Sequence, residues 1–157
     1  MDEALRSRVE DAGLNASAPP QQRWIDGWLV RFSPGKAQRA RCINAVAPGR
    51  LPLAQRLPLA LAVYAEAGLP ALVRITPFTQ PPGLDTWLAD QGWTRHDDTR
   101  VMVCPAIPRI TPTPLPTGTQ WERLDGAAYA QAIGQLRGTP PGQIEAHAQR
   151  LAASPVA

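Results

Sequence analysis

The chain has 157 residues, of which 44% are hydrophobic and 18% charged. That is long enough to bury ~70% of its unfolded surface without a disulfide or metal, and it excludes a charge-driven disordered chain. A net charge of +3, spread along the chain with Lys36 as its one lysine, argues against a nucleic-acid surface. No apolar run approaches the ~18 residues that a membrane span needs, and the opening MDEALRSRVED lacks an apolar signal core, so the expected compartment is cytoplasmic, with no membrane or nucleic-acid partner.

Asp2 as a cap, Leu5, Val9 and Ala12 on one face, and Gly13 as a stop predict a helix over 2–12. Residues 15–23, polar and carrying Pro19-Pro20, read as a loop. Trp28 to Phe32 alternates like a strand, with Asp26-Gly27 at its start. Ser33-Pro34-Gly35-Lys36 has turn chemistry, and the chain returns from Arg39 to Val46, which predicts an antiparallel hairpin. Leu53, Leu57, Leu61 and Tyr64 fall near helical spacing and Gly68 suits a C-cap. Pro58 interrupts that pattern and suggests a helix starting near it. Leu72 to Ile75 reads as a short buried strand, and 84–91 as a helix stopped by Gly92. Trp93–Arg95 and Val101–Cys104 flank a turn at 96–99 and read as a second hairpin. The run PAIPRITPTPLP excludes a helix and predicts an extended linker, followed by helices from Trp121 to Gln135 and from Ile144 to Ala153. The order gives an α+β fold, with helices flanking a mixed, mostly antiparallel sheet.

Nucleotide-binding glycine loops, the serine nucleophile elbow and zinc-helix motifs are all absent from the sequence. Cys42, Cys104, His96 and His147 have no metal-ligand spacing, and the two cysteines read as free, buried thiols. Asp97-Asp98 reads as turn chemistry rather than a catalytic pair. Arg31, Arg39, Arg41 and Arg74 lie on or beside strands, where they either snorkel at sheet edges or line a pocket for an anionic group.

The stretch from Asp26 to Ser33, with Gly35 and Arg39-Ala40, is joined by Gly68-Leu69-Pro70, Arg74-Ile75-Thr76-Pro77, Gly83-Leu84-Asp85, Gly92-Trp93 and Thr99 to Val103. In that order they resemble the N-terminal half of bacterial GNAT-superfamily N-acetyltransferases that carry a region ahead of the acetyl-CoA-binding domain. The resemblance covers residues 20–105, and the segment from Trp121 to Pro155 is similar to the family's helical connector. It implies a degenerate GNAT-like domain over 1–105, a Pro-rich linker over 106–119, and a connector over 120–157 leading to a C-terminal domain that is missing here. It also implies transfer of an acetyl group from acetyl-CoA to a primary amine, with this portion helping to shape the acceptor site.

The family's pyrophosphate loop is an Arg/Gln-x-x-Gly-x-Gly/Ala turn that opens a helix. Gly49-Arg50-Leu51-Pro52-Leu53-Ala54 departs from it: leucines obstruct close backbone approach, and Pro52 lacks a donor. The expectation is therefore that acetyl-CoA serves the full-length family and no cofactor binds this chain, which alone is inactive and has no assigned catalytic residues. Trp28, Arg31, Asn44 and Arg74 are the expected substrate-binding residues for a small-molecule amine. The expected partner is the C-terminal acetyltransferase domain or a second copy of the chain, docking on a face that includes Trp28, Phe32 and Trp93. The alternatives are a stand-alone, non-catalytic GNAT-like ligand- or partner-binding module, and an enzyme that rebuilds the missing half as a dimer.

Overall fold

The computed structural model describes residues 2–104, 106 and 114–154. In chain order they form α1 (Glu3–Ala16), β1 (Gln22–Ile25), β2 (Trp28–Arg31), β3 (Ile43–Ala45), α2 (Leu53–Ala67), β4 (Val73–Arg74), α3 (Leu84–Asp90), α4 (Gly126–Leu136) and α5 (Pro141–Ala152). The fold is α+β, with a four-stranded mixed sheet in the order β1-β2-β3-β4. The first three strands are an antiparallel meander, and β4 runs parallel to β3 after the α2 crossover.

Register explains how the sheet separates its two faces. Val30, Ile43 and Val73 line up across β2, β3 and β4, and so do Leu29, Asn44 and Arg74. Neighbours along a strand point to opposite faces, so the first row joins the core and the second lies on the α1 side. Trp28, Val30, Ile43 and Ala45 pack with Leu57, Ala60, Val63 and Tyr64 of α2 and Leu84 and Leu88 of α3. The α2 residues recur at helical spacing, which gives that helix one buried stripe. Fully burying each large apolar side chain contributes ~1.5–3 kcal/mol, so this stripe holds α2 to the sheet.

The predicted β2–β3 hairpin, the α2 stripe and the α3 helix are all present. Gly68 closes α2 in the left-handed region at φ 64°, as its sequence position suggests. Several readings change. First, β1 occupies part of the predicted loop: Asp26 and Gly27, at φ 41° and 85°, are the two-residue turn of a hairpin between Ile25 and Trp28. Second, α1 runs through Gly13 to Ala16, because the Ser17 hydroxyl donates to Gly13 O at 2.7 Å and Arg31 Nη2 donates to Leu14 O at 2.9 Å. Those bonds satisfy last-turn carbonyls without a glycine cap.

Third, α2 begins at Leu53, leaving Pro58 inside it and exposed, so the Ala54 carbonyl it leaves unbonded belongs to an exposed residue. Fourth, residues 93–104 form no strand; Met102 is 92% exposed, and Asp97 takes φ 53° while its carboxylate accepts from Gln38 Nε2 at 2.8 Å. Residues 107–113 of the expected linker lie outside the described residues. Beyond them, Asp125 caps α4 through Ala128 N at 2.8 Å, so the helix starts later than Trp121. Pro141 opens α5 ahead of Ile144, its missing N–H being one that a helix start leaves unbonded anyway. No helix among the described residues is long and apolar enough to cross a membrane.

Candidate functional site

A cleft of about 300 Å³ opens beside the ends of β3 and β4, with α1 as one wall. Asn44 and Arg74 reach it from adjacent strands because they sit opposite each other in the parallel register. Glu10 and Asp11 come from α1, and Thr76 and Thr79 from the loop after β4. Arg74 and Glu10 form a two-pronged ion pair, with Nη2 to Oε2 at 3.0 Å and Nη1 donating to Oε1. The Glu10 carboxylate is the main cause of a raised Arg74 pKa, against the opposing effect of burial. Asp11 is exposed and has no hydrogen bond or ion pair among the described residues, so the cleft keeps one uncommitted carboxylate. Thr79 Oγ1 accepts from Thr76 N at 2.7 Å, which folds the loop back to form the lower wall.

The other two expected pocket residues are placed differently. Arg31 is 2% exposed. It donates to Gln22 Oε1 at 3.1 Å, Ser17 Oγ at 3.2 Å and Leu14 O at 2.9 Å. No carboxylate faces it among these contacts, and the negative end of the α1 dipole serves instead. Burial is the main cause that lowers its pKa. Arg31 therefore fastens the end of α1 under the cleft and spends its donors on the protein. Trp28 is fully buried, with Nε1 donating to Gln80 O at 3.3 Å, so it braces a lining residue from behind. Phe32 and Trp93 are half-buried against the core.

Cys42 is buried within the same layer, whereas Cys104 is exposed, contrary to the expectation for it. Burial raises the Cys42 pKa, outweighing Arg74, Arg31, a hydrogen bond to Asn44 and Arg39, which lower it. That thiol is thus protonated and shielded rather than activated. No group of three metal-ligating side chains occurs among the described residues.

A second feature lies at the other side of β3, and the sequence reading did not single out its central residue. The Asp26 carboxylate accepts from Arg50 N at 2.8 and 2.9 Å and from Leu51 N at 2.8 Å, just ahead of α2. Arg56 Nε completes the arrangement at 2.9 Å from Asp26 Oδ2. The Arg56 guanidinium stacks 5.1 Å from the Trp28 ring centroid. Gly49 turns the chain at φ 70°, and a Cβ there would lie 2.2 Å from Asp26 O. The backbone hydrogen bonds, Leu51 then Arg50, are the largest causes holding the Asp26 carboxyl below its ordinary pKa, with Arg56 adding to them. The Asp-Gly pair is the sequence signal that could have located this residue, since it is a strong two-residue hairpin marker.

No protein-family model, curated protein or solved structure matches the chain.

Proposed function

We propose that this chain is the N-terminal portion of a GNAT-type N-acetyltransferase, one that shapes the site for a small amine acceptor and leaves the seating of acetyl-CoA to another domain. The observation that carries the reading is the cleft beside the paired ends of β3 and β4, where Asn44, Arg74 and the uncommitted Asp11 converge. Crevices at the carboxyl ends of parallel strands are where sheets with helical crossovers generally place ligands. An ammonium group suits Asp11, because Glu10 is already held by Arg74.

The turn ahead of α2 supports the second half of the reading. A pyrophosphate at a helix start needs free backbone N–H groups, and those of Arg50 and Leu51 are bound to Asp26. The same turn also suits a stand-alone binding module without catalysis, and the two readings part on whether a bound amine is acetylated once a C-terminal domain is supplied.

The test is a backbone-amide NMR titration of the 157-residue chain with polyamines, aminoglycosides and simple primary amines. Saturable shifts at Asn44, Arg74, Thr76 and Thr79, weakened by Asp11→Asn, are the expected result. A cleft silent to every amine contradicts the acceptor role.

A further inference from the structure

We infer that the cleft beside β3 and β4 takes a zwitterion, an apolar α-amino acid, with its carboxylate on Arg74 and Asn44 and its ammonium group at Asp11. This acceptor class rests on the amine-binding reading of the same cleft and narrows it.

Unspent donors gather on the floor of the cleft. Asn44 is 3% exposed and lines it. Its Nδ2 donates to Cys42 O at 3.2 Å and has no other acceptor among the described residues, so one amide N–H is left over in a buried place. Arg74 stands opposite in the parallel register, and Glu10 takes two of the five guanidinium N–H groups. The rest belong to a side chain that is 21% exposed beside the cavity. The hydroxyl oxygens of Thr76 and Thr79 accept from Phe78 N and Thr76 N, and neither hydroxyl proton is spent among the described residues. A guanidinium next to a buried amide donor is the setting that recognises a carboxylate.

Charge is arranged in the same sense. Arg31 lies under the cleft with no carboxylate among its contacts, and Arg74 has one. Two guanidinium groups thus face one carboxylate and the end of α1, so the floor carries an excess of positive charge. Burial leads the causes that lower the Arg31 pKa, and its neighbours Arg74 and Arg39 lower it further. The exposed edge has the opposite sign, because Asp11 stands there without an ion pair among the described residues. A polyamine would set a second ammonium against the positive floor, and a simple carboxylate would leave Asp11 unpaired. An amino acid satisfies both ends. Leu14, Val46 and Phe78 supply an apolar wall, and about 300 Å³ is at the small end of ligand cavities, which suits an apolar amino acid.

The experiment is an amide NMR titration of the full chain at neutral pH and fixed ionic strength. The probes are L-leucine, isoamylamine (leucine without its carboxylate) and 4-methylpentanoate (leucine without its ammonium group). Leucine is expected to half-saturate the cleft at a concentration about tenfold below either half-molecule, with shifts at Asn44, Arg74, Thr76 and Thr79. Glu10→Gln removes the carboxylate that competes for Arg74 and should widen the advantage of leucine over isoamylamine several-fold. Arg74→Gln should erase that advantage; if it does not fold, wild type against Glu10→Gln decides.

Isoamylamine binding as tightly as leucine, or an affinity ratio unchanged in Glu10→Gln, overturns this inference and leaves the amine-acceptor reading standing. 4-Methylpentanoate binding as well as leucine removes the part given to Asp11 and overturns both. Silence toward all three probes, or shifts elsewhere, overturns the amino-acid assignment, and the wider amine panel then decides the acceptor reading.

Discussion

Two arginine–carboxylate pairs flank β3, and they share their chemistry but not their setting. Arg56 and Asp26 have side chains 3% and 16% exposed, and backbone N–H groups also grip the carboxylate. Arg74 and Glu10 are 21% and 20% exposed, and Glu10 belongs to α1, which has no fully buried residue before its Ser17 cap. The first pair closes a turn. The second ties a lightly anchored helix across a cleft. The difference shows what decides whether an ion pair seals a site or guards one: how many other groups hold the same carboxylate, and how dry the cation is.

The sharpest way to break the comparison is Gly49→Ala. At φ 70°, with Asp26 O at 2.2 Å from the new Cβ, the turn has no room for a methyl group. Backbone strain and the clash together should cost about 3 kcal/mol, read as a lower urea midpoint. A midpoint unchanged from wild type would show the turn to be loose.

Next in size is the contrast between the pairs themselves. Arg56→Met strips the sealed pair of its buried cation and should cost about 3 kcal/mol. Glu10→Gln acts on the half-exposed pair and should cost at most about 1 kcal/mol, while loosening α1 in hydrogen exchange. Equal losses would erase the distinction between sealed and open.

Gly134→Ala tests a region outside the sheet. A Cβ there would lie 2.5 Å from Ile144 Cγ1, so α4 and α5 must separate slightly, at a cost of ~1–2 kcal/mol. Hydrogen exchange should rise in α4 and α5 and stay unchanged in β1–β4. A rise in the sheet would tie the helical hairpin to the core.

The smallest expected effect is on pH dependence. The Asp26 carboxyl is held below its ordinary value of 3.8, so its contribution is present above that pH and is lost as pH falls through the folded-state value. Wild type should therefore lose melting temperature more steeply than Asp26→Asn below about pH 4. Parallel acid limbs would show that the carboxylate gains nothing from its seat.

How far this was legible in the sequence follows from the range of each interaction. The α2 stripe and β2 are local patterns, and alternation already placed Trp28 and Val30 opposite Leu29 and Arg31. The edge strand β1 carries an exposed Trp24, so its burial does not alternate and only the Asp-Gly turn announces it. Asn44 and Arg74 do share the cleft, though nothing local says that Glu10, 64 residues away, would engage the arginine. Arg31 looked like a pocket cation because the end of α1, which absorbs its donors, is 17 residues distant. Leu51 and Pro52 suggested that phosphate would be obstructed. The structure adds a carboxylate already bound at that turn, supplied from a hairpin that the sequence reading had not closed.

The measurement that most directly tests the account is the amide NMR signal of Arg50 and Leu51 as acetyl-CoA is added to the wild-type chain. Both signals should hold still, because Asp26 keeps their protons. Saturable movement of the two at micromolar acetyl-CoA would contradict the account, since it would place the cofactor in the seat that the carboxylate is said to fill.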